Sequence, residues 1–543
     1  MFKAVFSTLS AAALGMATPA MASDPNDFDL RNITQQDVEE DMQEASIVLM
    51  TPYQSQIFSY LVVLKIADEA ALAEPDVSDL NVRGLQYIER ELGMDLNIRE
   101  NMSVEQVGML LISLPNLAAR YGHGEADLSK ALEGAIDEIS NHFDPHTDYL
   151  NTEQIKEMQD RMNNQIVGIG VQMRKDIDLR ELEAYSQNGE EGDAPAGNIR
   201  LDKVLEDGPA GRAGLRRGDI ITHVDGIPIL EKNTSEIVDL VTGVAGSDVN
   251  LTVEREGQAP FDVAVTRASV TFPMVESRVI QSSNIGYVSL SHFGNGSAAQ
   301  LRAAINTLKN ENPGLNGFVL DLRFNPGGYL NEAVQIADMF LEEGTILHEQ
   351  NKVRTTTTRA TPGDILDGAP LVVLTNTYSA SASELVSGSL QDNNRARVVG
   401  NQTFGKGTVQ TGTPLPNGGY LNVTIAHYMT ASGDSIQGTG VTPNVRVDGP
   451  GGKRPVRVSE SDIENFIPNP ATGVDEVETD TICSPSVDIY ADFQDAADYK
   501  AAGTPLDYEL SCAIDAFDGS DSPFTDTKPA PKTGEMIFIP PMG

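Results

Sequence analysis

The sequence predicts an α+β multidomain chain with a helical N-terminal region, a small β-domain and an α/β core. Three residue patterns indicate this. Apolar residues recur at helical spacing in the N-terminal part, short alternating runs separated by Gly and Pro follow, and apolar strands then alternate with amphipathic helices. The predicted boundaries are 1–22 for a leader, 23–163 for the helical region, 164–270 for the β-domain, 271–455 for the core and 456–543 for an acidic C-terminal extension.

The chain of 543 residues has a strongly acidic balance. It contains 38 Lys and Arg against 79 Asp and Glu, a formal net charge of −41, while 40% of its residues are hydrophobic. That hydrophobic fraction is typical of a globular protein rather than a disordered one. The charge argues against a nucleic-acid partner, because phosphate contacts need clustered Lys and Arg. It also argues against attachment to anionic lipid through basic patches.

The N-terminus has the pattern of a secretory signal peptide. Lys3 precedes a short apolar stretch at 9–17, and Ala20, Met21 and Ala22 match the small-x-small rule for cleavage. The alternative is a membrane anchor, which the short apolar stretch disfavours. We therefore predict an exported protein, cleaved after Ala22 and located in the periplasm of a bacterial cell envelope or outside the cell.

The helical region contains a proline within one of its predicted helices and ends in a loop. Leu110, Leu114 and Leu117 share one helical face, but Pro115 among them predicts a break or a kink. A second short helix is predicted at 152–163, after the loop that closes the region.

Cysteine and histidine usage indicates a disulfide and no metal. Cys483 and Cys512 are the two cysteines, and in an oxidising compartment such a pair forms a disulfide. His142 and His146 are the nearest histidines in sequence, but Pro145 between them breaks a shared helical face and predicts a loop. We predict no metal and no cofactor.

The β-domain is predicted from short strands punctuated by Gly and Pro. An acidic, Gly-rich stretch at 188–197 is predicted to be a surface insertion. The predicted elements are a strand at 199–201, a short helix and a strand within 208–221, a hairpin turn at 224–228, a helix at 234–244 and paired strands at 249–254 and 261–266.

This stretch resembles a PDZ domain of the type found in proteases. The resemblance rests on the Gly-Pro-Ala-Gly-Arg-Ala-Gly-Leu-Arg-Arg-Gly-Asp-Ile-Ile run at 208–221 and the earlier Gly-Ile-Gly-Val. PDZ domains add a peptide as a strand and bind its terminal carboxylate in a loop. The resemblance implies that Val167, Gly168, Ile169 and Gly170 form that loop. An unrelated small β-domain is the alternative.

The core is predicted to be a mainly parallel sheet with crossover helices, because strands and helices alternate. The C-terminal extension is acidic and rich in Pro, and 476–480 and 528–541 have the composition of linker or tail. The predicted core strands lie at 285–290, 317–324 and 371–374, and the predicted core helices at 297–308, 330–340 and 383–390.

The first motif that suggests chemistry is Asp-Leu-Arg-Phe-Asn-Pro-Gly-Gly at 321–328. A buried strand runs into a turn, where Gly327 and Gly328 let backbone N–H groups approach a ligand. N–H groups near a helix start favour negative charge, so the turn is a candidate oxyanion hole. An ordinary turn is the alternative.

The second motif is Tyr-Ser-Ala-Ser-Ala-Ser-Glu at 378–384. It follows a buried strand and opens a helix, which is where a nucleophilic hydroxyl can be exposed to substrate. Ser381 and Glu384 also match a capping box, and on this string alone the cap is the favoured interpretation.

The third motif is Gln-Thr-Phe-Gly-Lys-Gly-Thr-Val-Gln at 402–410. If this segment is a strand, Lys406, Thr408 and Gln410 share one face. A lysine can act as a general base when burial lowers its pKa enough to make it neutral. An exposed strand lysine is the alternative.

Together the three motifs resemble those of the carboxyl-terminal processing peptidases, the tail-specific proteases of peptidase family S41, which carry a PDZ domain before a crotonase-like (ClpP/crotonase-type) core. The resemblance covers about 130–450, and its specific strings are Ser-Ala-Ser-Ala-Ser-Glu and Thr-Phe-Gly-Lys-Gly-Thr-Val-Gln. It implies that Ser381 is the nucleophile, that Lys406 is its base and that Gln410 orients the lysine.

The resemblance also implies an oxyanion hole and a class of partner. One donor would be the N–H of Ala382, and the other Gly327 or Gly328, between which the sequence does not choose. Substrates would be proteins or peptides bound through C-terminal tails, with the PDZ domain recognising the tail and gating activity. An adaptor or activator protein and a homo-oligomer are left open.

Two other functions are compatible with part of these features. A non-catalytic PDZ scaffold with an inactive core conflicts with the presence of Ser381, Lys406 and Gln410. A crotonase-type acyl enzyme conflicts with the PDZ-like domain and with the serine–lysine spacing. The motifs therefore favour an exported serine endopeptidase.

Overall fold

The computed structural model describes residues 52–69, 71–73, 75–99, 102, 104–163, 165–176, 197–448, 457–463, 466–470, 481–483 and 508–518. The predicted signal peptide, residues 188–196 of the insertion and the predicted linker and tail at 476–480 and 528–541 lie outside these ranges. Within them, none of the helices combines the length and apolar character that a bilayer crossing requires.

Helices and strands follow one another along the described chain. The helices are α1 (Pro52–Glu69), α2 (Val77–Leu92), α3 (Val104–Ala118), α4 (Glu125–Ser140), α5 (Thr152–Met162), α6 (Pro209–Arg212), α7 (Thr234–Val241), α8 (Ser297–Glu311), α9 (Leu330–Met339), α10 (Ala382–Asp392) and α11 (Tyr508–Asp518). The strands are β1 (Asp148–Leu150), β2 (Gln165–Gly168), β3 (Val171–Asp176), β4 (Asn198–Val204), β5 (Ile220–Val224), β6 (Ile227–Pro228), β7 (Asp248–Glu254), β8 (Phe261–Thr266), β9 (Ala268–Thr271), β10 (Val275–Ile280), β11 (Ile285–Leu290), β12 (Gly317–Asp321), β13 (Thr345–Asn351), β14 (Thr355–Arg359), β15 (Leu371–Thr375), β16 (Arg397–Gly400), β17 (Thr408–Pro414), β18 (Tyr420–Met429), β19 (Val445–Val447) and β20 (Ile482–Cys483).

The N-terminal helices form one apolar core with the inner face of β18. Helix α2 begins at an N-cap, because Asp76 accepts the N–H of Ser78 at 2.9 Å. The predicted break at Pro115 is wrong, since α3 runs through it. Leu111 and Leu114, which precede Pro115, are fully buried, and their packing offsets the hydrogen bond that proline cannot make.

The predicted parallel sheet forms the centre of the larger compact unit. Its strand order is β10-β11-β12-β15-β16-β19-β20, and the pairs from β11 to β20 are parallel. Strands β12 and β15 are buried along their whole length, as their continuous apolar runs predict. Since parallel strands end at the same edge, the segments that follow β12, β15 and β16 meet at the carboxyl edge of the sheet.

A second, antiparallel sheet in this unit was not predicted. Its order is β1-β18-β13-β14, with β17 also paired to β18. The pairing of β1 with β18 joins the end of the helical region to the segment that follows the lysine motif.

The second compact unit comprises residues 157–276 and 294–300. Its main sheet has the order β3-β4-β5-β7-β8, with β6 paired to β5, so among the described strands β3 lies at an edge. A separate antiparallel pair joins β2 to β9. The predicted hairpin turn and the predicted pairing of β7 with β8 are both present.

Part of the C-terminal extension belongs to the core rather than to a tail. Leu510, Cys512 and Ala513 of α11 are buried in the same apolar cluster as β15 and β16. The sulfur atoms of Cys483 and Cys512 are 2.09 Å apart in a disulfide. Composition predicted a tail because α11 is one short amphipathic helix within an acidic, Pro-rich surrounding.

Candidate active site

Ser381 lies at the turn between β15 and α10, at the carboxyl edge of the parallel sheet. Its backbone has φ 55° and ψ −113°, a conformation that costs a non-glycine residue about 1–3 kcal/mol. A sharp strand-to-helix turn of this kind presents a side chain outward at the end of a sheet. Ser381 is half-buried.

The two neighbouring serines of the string support this turn. The Ser379 hydroxyl donates to the carbonyl of Leu322 at 2.8 Å, and the Ser383 hydroxyl donates to the carbonyl of Asn325 at 2.8 Å. Both serines are fully buried, whereas Ser381 is not. Of the three serines, Ser381 is the one that solvent reaches.

Asn325 joins the Pro-Gly-Gly turn to the serine turn. Its carbonyl accepts the N–H of Ala380 at 3.1 Å as well as the Ser383 hydroxyl. Its amide nitrogen donates to the carbonyl of Leu290 at 2.9 Å, and the residue is fully buried. The two turns that the sequence predicted separately therefore form one assembly.

Both glycines of the Pro-Gly-Gly turn are required by close contacts. A Cβ on Gly327 would lie 2.8 Å from Cβ of Ser381 and 3.0 Å from the nitrogen of Ala382, and one on Gly328 would lie 2.5 Å from the carbonyl oxygen of Phe293. Their φ angles, 102° and 143°, also favour glycine. The N–H of Gly327 donates to Oδ1 of Asn325 at 2.9 Å.

Glu384 holds the serine turn and the lysine segment together. Its Oε2 accepts the backbone N–H of Ser381 at 2.7 Å and that of Lys406 at 2.9 Å. Its Oε1 accepts the N–H of Gly405 at 2.6 Å and the hydroxyl of Thr403 at 2.5 Å. Half of the predicted capping box is thus present, and the carboxylate does more than cap a helix.

Tyr428 makes a second connection between the same two segments. Its hydroxyl lies 2.7 Å from the carbonyl oxygen of Ser381 and 2.7 Å from that of Lys406, in hydrogen-bonding geometry with both. The ring is fully buried on β18. Burial raises the pKa of Tyr428 well above its ordinary value, so the hydroxyl stays protonated and remains a donor.

Lys406 is largely enclosed and surrounded by carboxylates. Burial lowers the pKa of the Lys406 ammonium, and the nearby carboxylates of Glu460, Asp144, Asp148 and Glu384 oppose that shift. Burial likewise raises the pKa of Glu384 to about 7, against the hydrogen bonds that it accepts. The lysine is therefore easier to deprotonate than a surface lysine, and its ammonium form has counter-charges close by.

Glu460 is the least expected of these carboxylates. Its Oε1 lies 2.5 Å from Nε2 of His146 and 3.4 Å from the amide nitrogen of Gln437. The side chain is fully buried, and among the described residues Oε2 has no hydrogen-bond partner. The oxygen of the Gln437 side chain accepts the N–H of Gly407 at 2.7 Å, so this network also holds the lysine segment.

The predicted strand face of Lys406, Thr408 and Gln410 is not formed. Strand β17 begins at Thr408, and its register with β18 shifts between Val409 and Gln410. Lys406 lies instead in the loop before β17, where Glu384 accepts the backbone N–H groups of Gly405 and Lys406. The Gln410 amide nitrogen donates to the hydroxyls of Thr408 at 3.0 Å and Thr424 at 3.2 Å.

The predicted carboxylate-binding loop lies in the second unit. Val167 and Gly168 belong to β2 and pair with Ser269 and Ala268 of β9. Ile169 and Gly170 form the turn into β3, and their carbonyls accept the N–H groups of Ala210 and Leu205 at 2.8 and 2.9 Å. The loop is therefore shorter than the predicted four residues, because its first half is strand.

Sequence reasoning missed Tyr428, Gln437, Glu460 and His146. Tyr428 and Gln437 follow the lysine motif without a motif of their own, and Glu460 lies in a segment assigned by composition to the extension. The sequence predicts a loop around His146, and His146 does lie in a loop, after the end of α4. Contact between residues so distant in sequence has no local signal.

Comparison with known proteins identifies the family. A model of peptidase family S41 matches residues 284–447, and a PDZ domain model matches residues 201–255. A carboxy-terminal-processing protease of Bartonella bacilliformis is 37% identical over 329 residues, which cover 60% of this chain and 71% of that protein. The chain belongs to peptidase family S41. The predicted serine-type peptidase activity is thereby confirmed, as is the predicted fold of a helical N-terminal region, a PDZ domain and an S41 peptidase core.

Other relatives of this S41 peptidase have related names. A probable CtpA-like serine protease of Staphylococcus aureus is 35% identical over 327 residues, which cover 60% of each chain. Among solved structures, the photosystem II D1 C-terminal processing protease is 24% identical, with a TM-score of 0.42, over 72% of this chain and 92% of that chain.

Proposed function

We propose that this S41 peptidase is an exported endopeptidase that cleaves peptide bonds near protein C-termini with a Ser381–Lys406 dyad. The sharing of one Glu384 oxygen by the N–H groups of Ser381 and Lys406 carries the proposal. These two hydrogen bonds join the turn that carries Ser381 to the segment that carries the half-buried Lys406.

The reaction begins with proton transfer between these two residues. Neutral Lys406 takes the proton of the Ser381 hydroxyl as the oxygen attacks the peptide carbonyl, and the ammonium then protonates the leaving amine. An acyl ester on Ser381 results. A water molecule, deprotonated by Lys406, attacks the ester, and the proton returns to the Ser381 oxygen as the acid product leaves.

We assign the oxyanion donors to the N–H groups of Ala382 and Gly328. Ala382 is the first residue of α10, so its N–H has no acceptor within the helix. The N–H of Gly327 is already bonded to Asn325, which leaves Gly328 as the donor from this turn. Two positioned N–H groups stabilise the negative charge that develops in the tetrahedral intermediate.

Glu460 is the proposed counter-ion of the Lys406 ammonium. Its unpaired buried Oε2 supplies negative charge during the interval in which Lys406 holds the serine proton. His146 fixes the other oxygen. The proposed role of Gln410 is to orient the amine through its amide oxygen, since its nitrogen is bonded to two threonines.

The proposed role of the PDZ domain is to bind substrate tails and thereby gate cleavage. Strand β3 at the sheet edge supports this, because a peptide can add to an open edge as a further strand. We also propose that the N-terminal signal peptide directs export of the protein. An adaptor or activator protein and self-association are further proposed ways of controlling the peptidase.

The dyad is tested with the chain beginning at Ser23 and its Ser381→Ala and Lys406→Met variants, assayed on casein and on a fluorogenic peptide. Each variant should lose at least a hundredfold in kcat. Ser113→Ala, on an exposed face of α3, and Lys309→Met, paired with Asp367, are the matched controls and should keep full activity. Equal cleavage by Ser381→Ala and the wild type would refute the dyad.

Tail recognition and gating are tested with one peptide in two forms, with a free C-terminal carboxylate and with an amide. The free form should have the lower KM as a substrate. Added in trans, it should also change the cleavage rate of a reporter that has an amidated terminus, while the amide form should not. Identical behaviour of both forms would exclude the carboxylate as the recognised group.

A further inference from the structure

Two large aromatic rings are exposed beside the proposed active site. Phe324 is 68% exposed and Tyr378 is 52% exposed, and their rings are stacked with centroids 5.6 Å apart and an interplanar angle of 19°. Single exposed apolar residues are common on protein surfaces, but a stacked pair presents a continuous apolar surface to solvent.

Phe324 maintains this exposure at a conformational cost. Its φ is 59°, a region that a bulky residue other than glycine rarely adopts. Such strain costs about 1–3 kcal/mol and persists where the surroundings impose it, most often at functional sites. Because the ring gains little burial in return, folding stability does not account for a phenylalanine at this position.

One side chain binds the backbone N–H groups of both aromatic residues. Oδ1 of the buried Asn376 accepts the N–H of Phe324 at 3.0 Å and the N–H of Tyr378 at 3.1 Å. The segments after β12 and β15 are thus clamped to each other at their aromatic residues. The stacked pair is a built feature of the carboxyl edge of the sheet.

The pair is continuous with the two turns of the proposed active site. Phe324 precedes Asn325, whose carbonyl accepts the N–H of Ala380, and Tyr378 precedes Ser379 in the turn that ends at Ser381. Each ring therefore stands on a segment that also carries a catalytic group. A peptide with its scissile carbonyl at Ser381 must pass this edge of the sheet.

We propose that Phe324 and Tyr378 form a substrate subsite, the aromatic shelf, that binds an apolar side chain of the substrate within three residues of the scissile bond. The inference rests on the proposed endopeptidase function and adds a specificity to it. The ring faces exclude water when an aliphatic or aromatic side chain covers them, whereas a polar side chain would lose hydration there without a hydrogen-bond partner. The preferred substrates are therefore apolar at one position near the cleavage site.

The test uses fluorogenic peptides in which Leu is replaced by Asn at each of the three positions on either side of the scissile bond. The ratio of kcat/KM for Leu over Asn is measured at each position. The informative variants are Phe324→Asn, Tyr378→Asn and the double variant, because asparagine tolerates positive φ and should relieve the strain at Phe324. Phe324→Tyr retains a ring, and Val353→Asn alters an exposed apolar residue of the hairpin between β13 and β14.

For the wild type we expect a high ratio at one position, and for the double variant a ratio about tenfold lower at that position. Phe324→Tyr and Val353→Asn should keep the wild-type ratio, and thermal unfolding should show Phe324→Asn to be at least as stable as the wild type. An unchanged ratio in the double variant would overturn the shelf and leave the dyad intact. If the double variant self-associates less than the wild type but keeps the same Leu/Asn ratios, the shelf is also overturned. If the wild type cleaves none of the peptides, the proposed endopeptidase function itself is refuted.

Discussion

Ser381 and Lys406 donate their backbone N–H groups to the same atom, Oε2 of Glu384. The serine belongs to the turn before α10 and the lysine to the loop before β17, so neither local segment places one against the other. A fully buried carboxylate with four donors does so instead. Glu384 is thus a positioning residue for both candidate catalytic residues.

Replacing Glu384 by Gln should reduce both stability and activity. Glutamine offers one acceptor oxygen, and its NH₂ group would face donors, so at least one buried N–H would lose its partner at a cost of about 1–3 kcal/mol. Without its bond to Glu384, the turn that carries Ser381 should shift. The value of kcat should then fall at least tenfold, because small displacements of reacting groups slow the chemical step. Urea unfolding and kcat measured on the same preparations check this.

Glu311→Gln, at the exposed end of α8, is the matched control and should change neither quantity. Wild-type kcat in Glu384→Gln would contradict the positioning role, even if stability fell.

Activity should rise with pH until Lys406 is neutral. Burial lowers the pKa of Lys406, so the acidic limb of kcat/KM should lie below the ordinary lysine value. Burial raises the pKa of Glu384 to about 7, so its ionisation contributes to the same limb. The profile of kcat/KM between pH 5 and pH 10 measures this, and a limb at the pKa of a surface lysine would contradict it.

The lowered pKa of Lys406 should also make the free energy of unfolding depend on pH. With a lowered folded-state pKa, the unfolded chain binds more protons between that pKa and the ordinary lysine value, so the lysine's contribution to stability rises with pH in that window. Lys406→Met should therefore be inactive but more stable than the wild type at neutral pH. The difference should shrink towards pH 10, and urea unfolding at several pH values tests this.

Glu460→Gln should affect the two forms of Lys406 differently, the neutral amine that acts as the base and the ammonium that forms during the reaction. Loss of the negative charge further lowers the pKa of Lys406, so the acidic limb of kcat/KM should move to lower pH. The plateau of kcat should fall about tenfold, because the ammonium intermediate loses its counter-ion. The companion variant His146→Gln keeps a hydrogen-bond donor to Glu460, so it should shift the acidic limb of kcat/KM less than Glu460→Gln does. His348→Gln, on β13, is the matched histidine control. An unmoved limb in Glu460→Gln would remove Glu460 from the mechanism.

The disulfide should stabilise the core more than it affects chemistry. Cys483 and Cys512 close a separation of 29 residues and tie α11 to the parallel sheet, where Glu509 pairs with Arg323 at 2.8 Å. The double Cys→Ser variant should lose about 2–4 kcal/mol of unfolding free energy. Reductant should lower the Tm of the wild type and leave that of the variant unchanged; equal sensitivity of both to reductant would argue against this assignment.

The local parts of the site could be predicted, and its long-range contacts could not. Three strings marked Ser381, Lys406 and the glycine turn, because each is a short pattern with its own local geometry. Glu384 was visible only as a cap, because a capping box is complete within four residues. The pairing of His146 with Glu460 has no pattern in the sequence, since one residue precedes and the other follows the three motifs, 314 positions apart.

By itself the sequence determined the order of domains, the parallel sheet and the family motifs, because periodicity and turn residues act over a few neighbouring positions. The tertiary structure decided which serine is accessible, that the N–H of Gly327 is bonded to Asn325, that Lys406 lies in a loop, and that part of the acidic extension is core. Each of these depends on burial and on hydrogen bonds between segments far apart in the chain, and such contacts exist only once the segments have packed together.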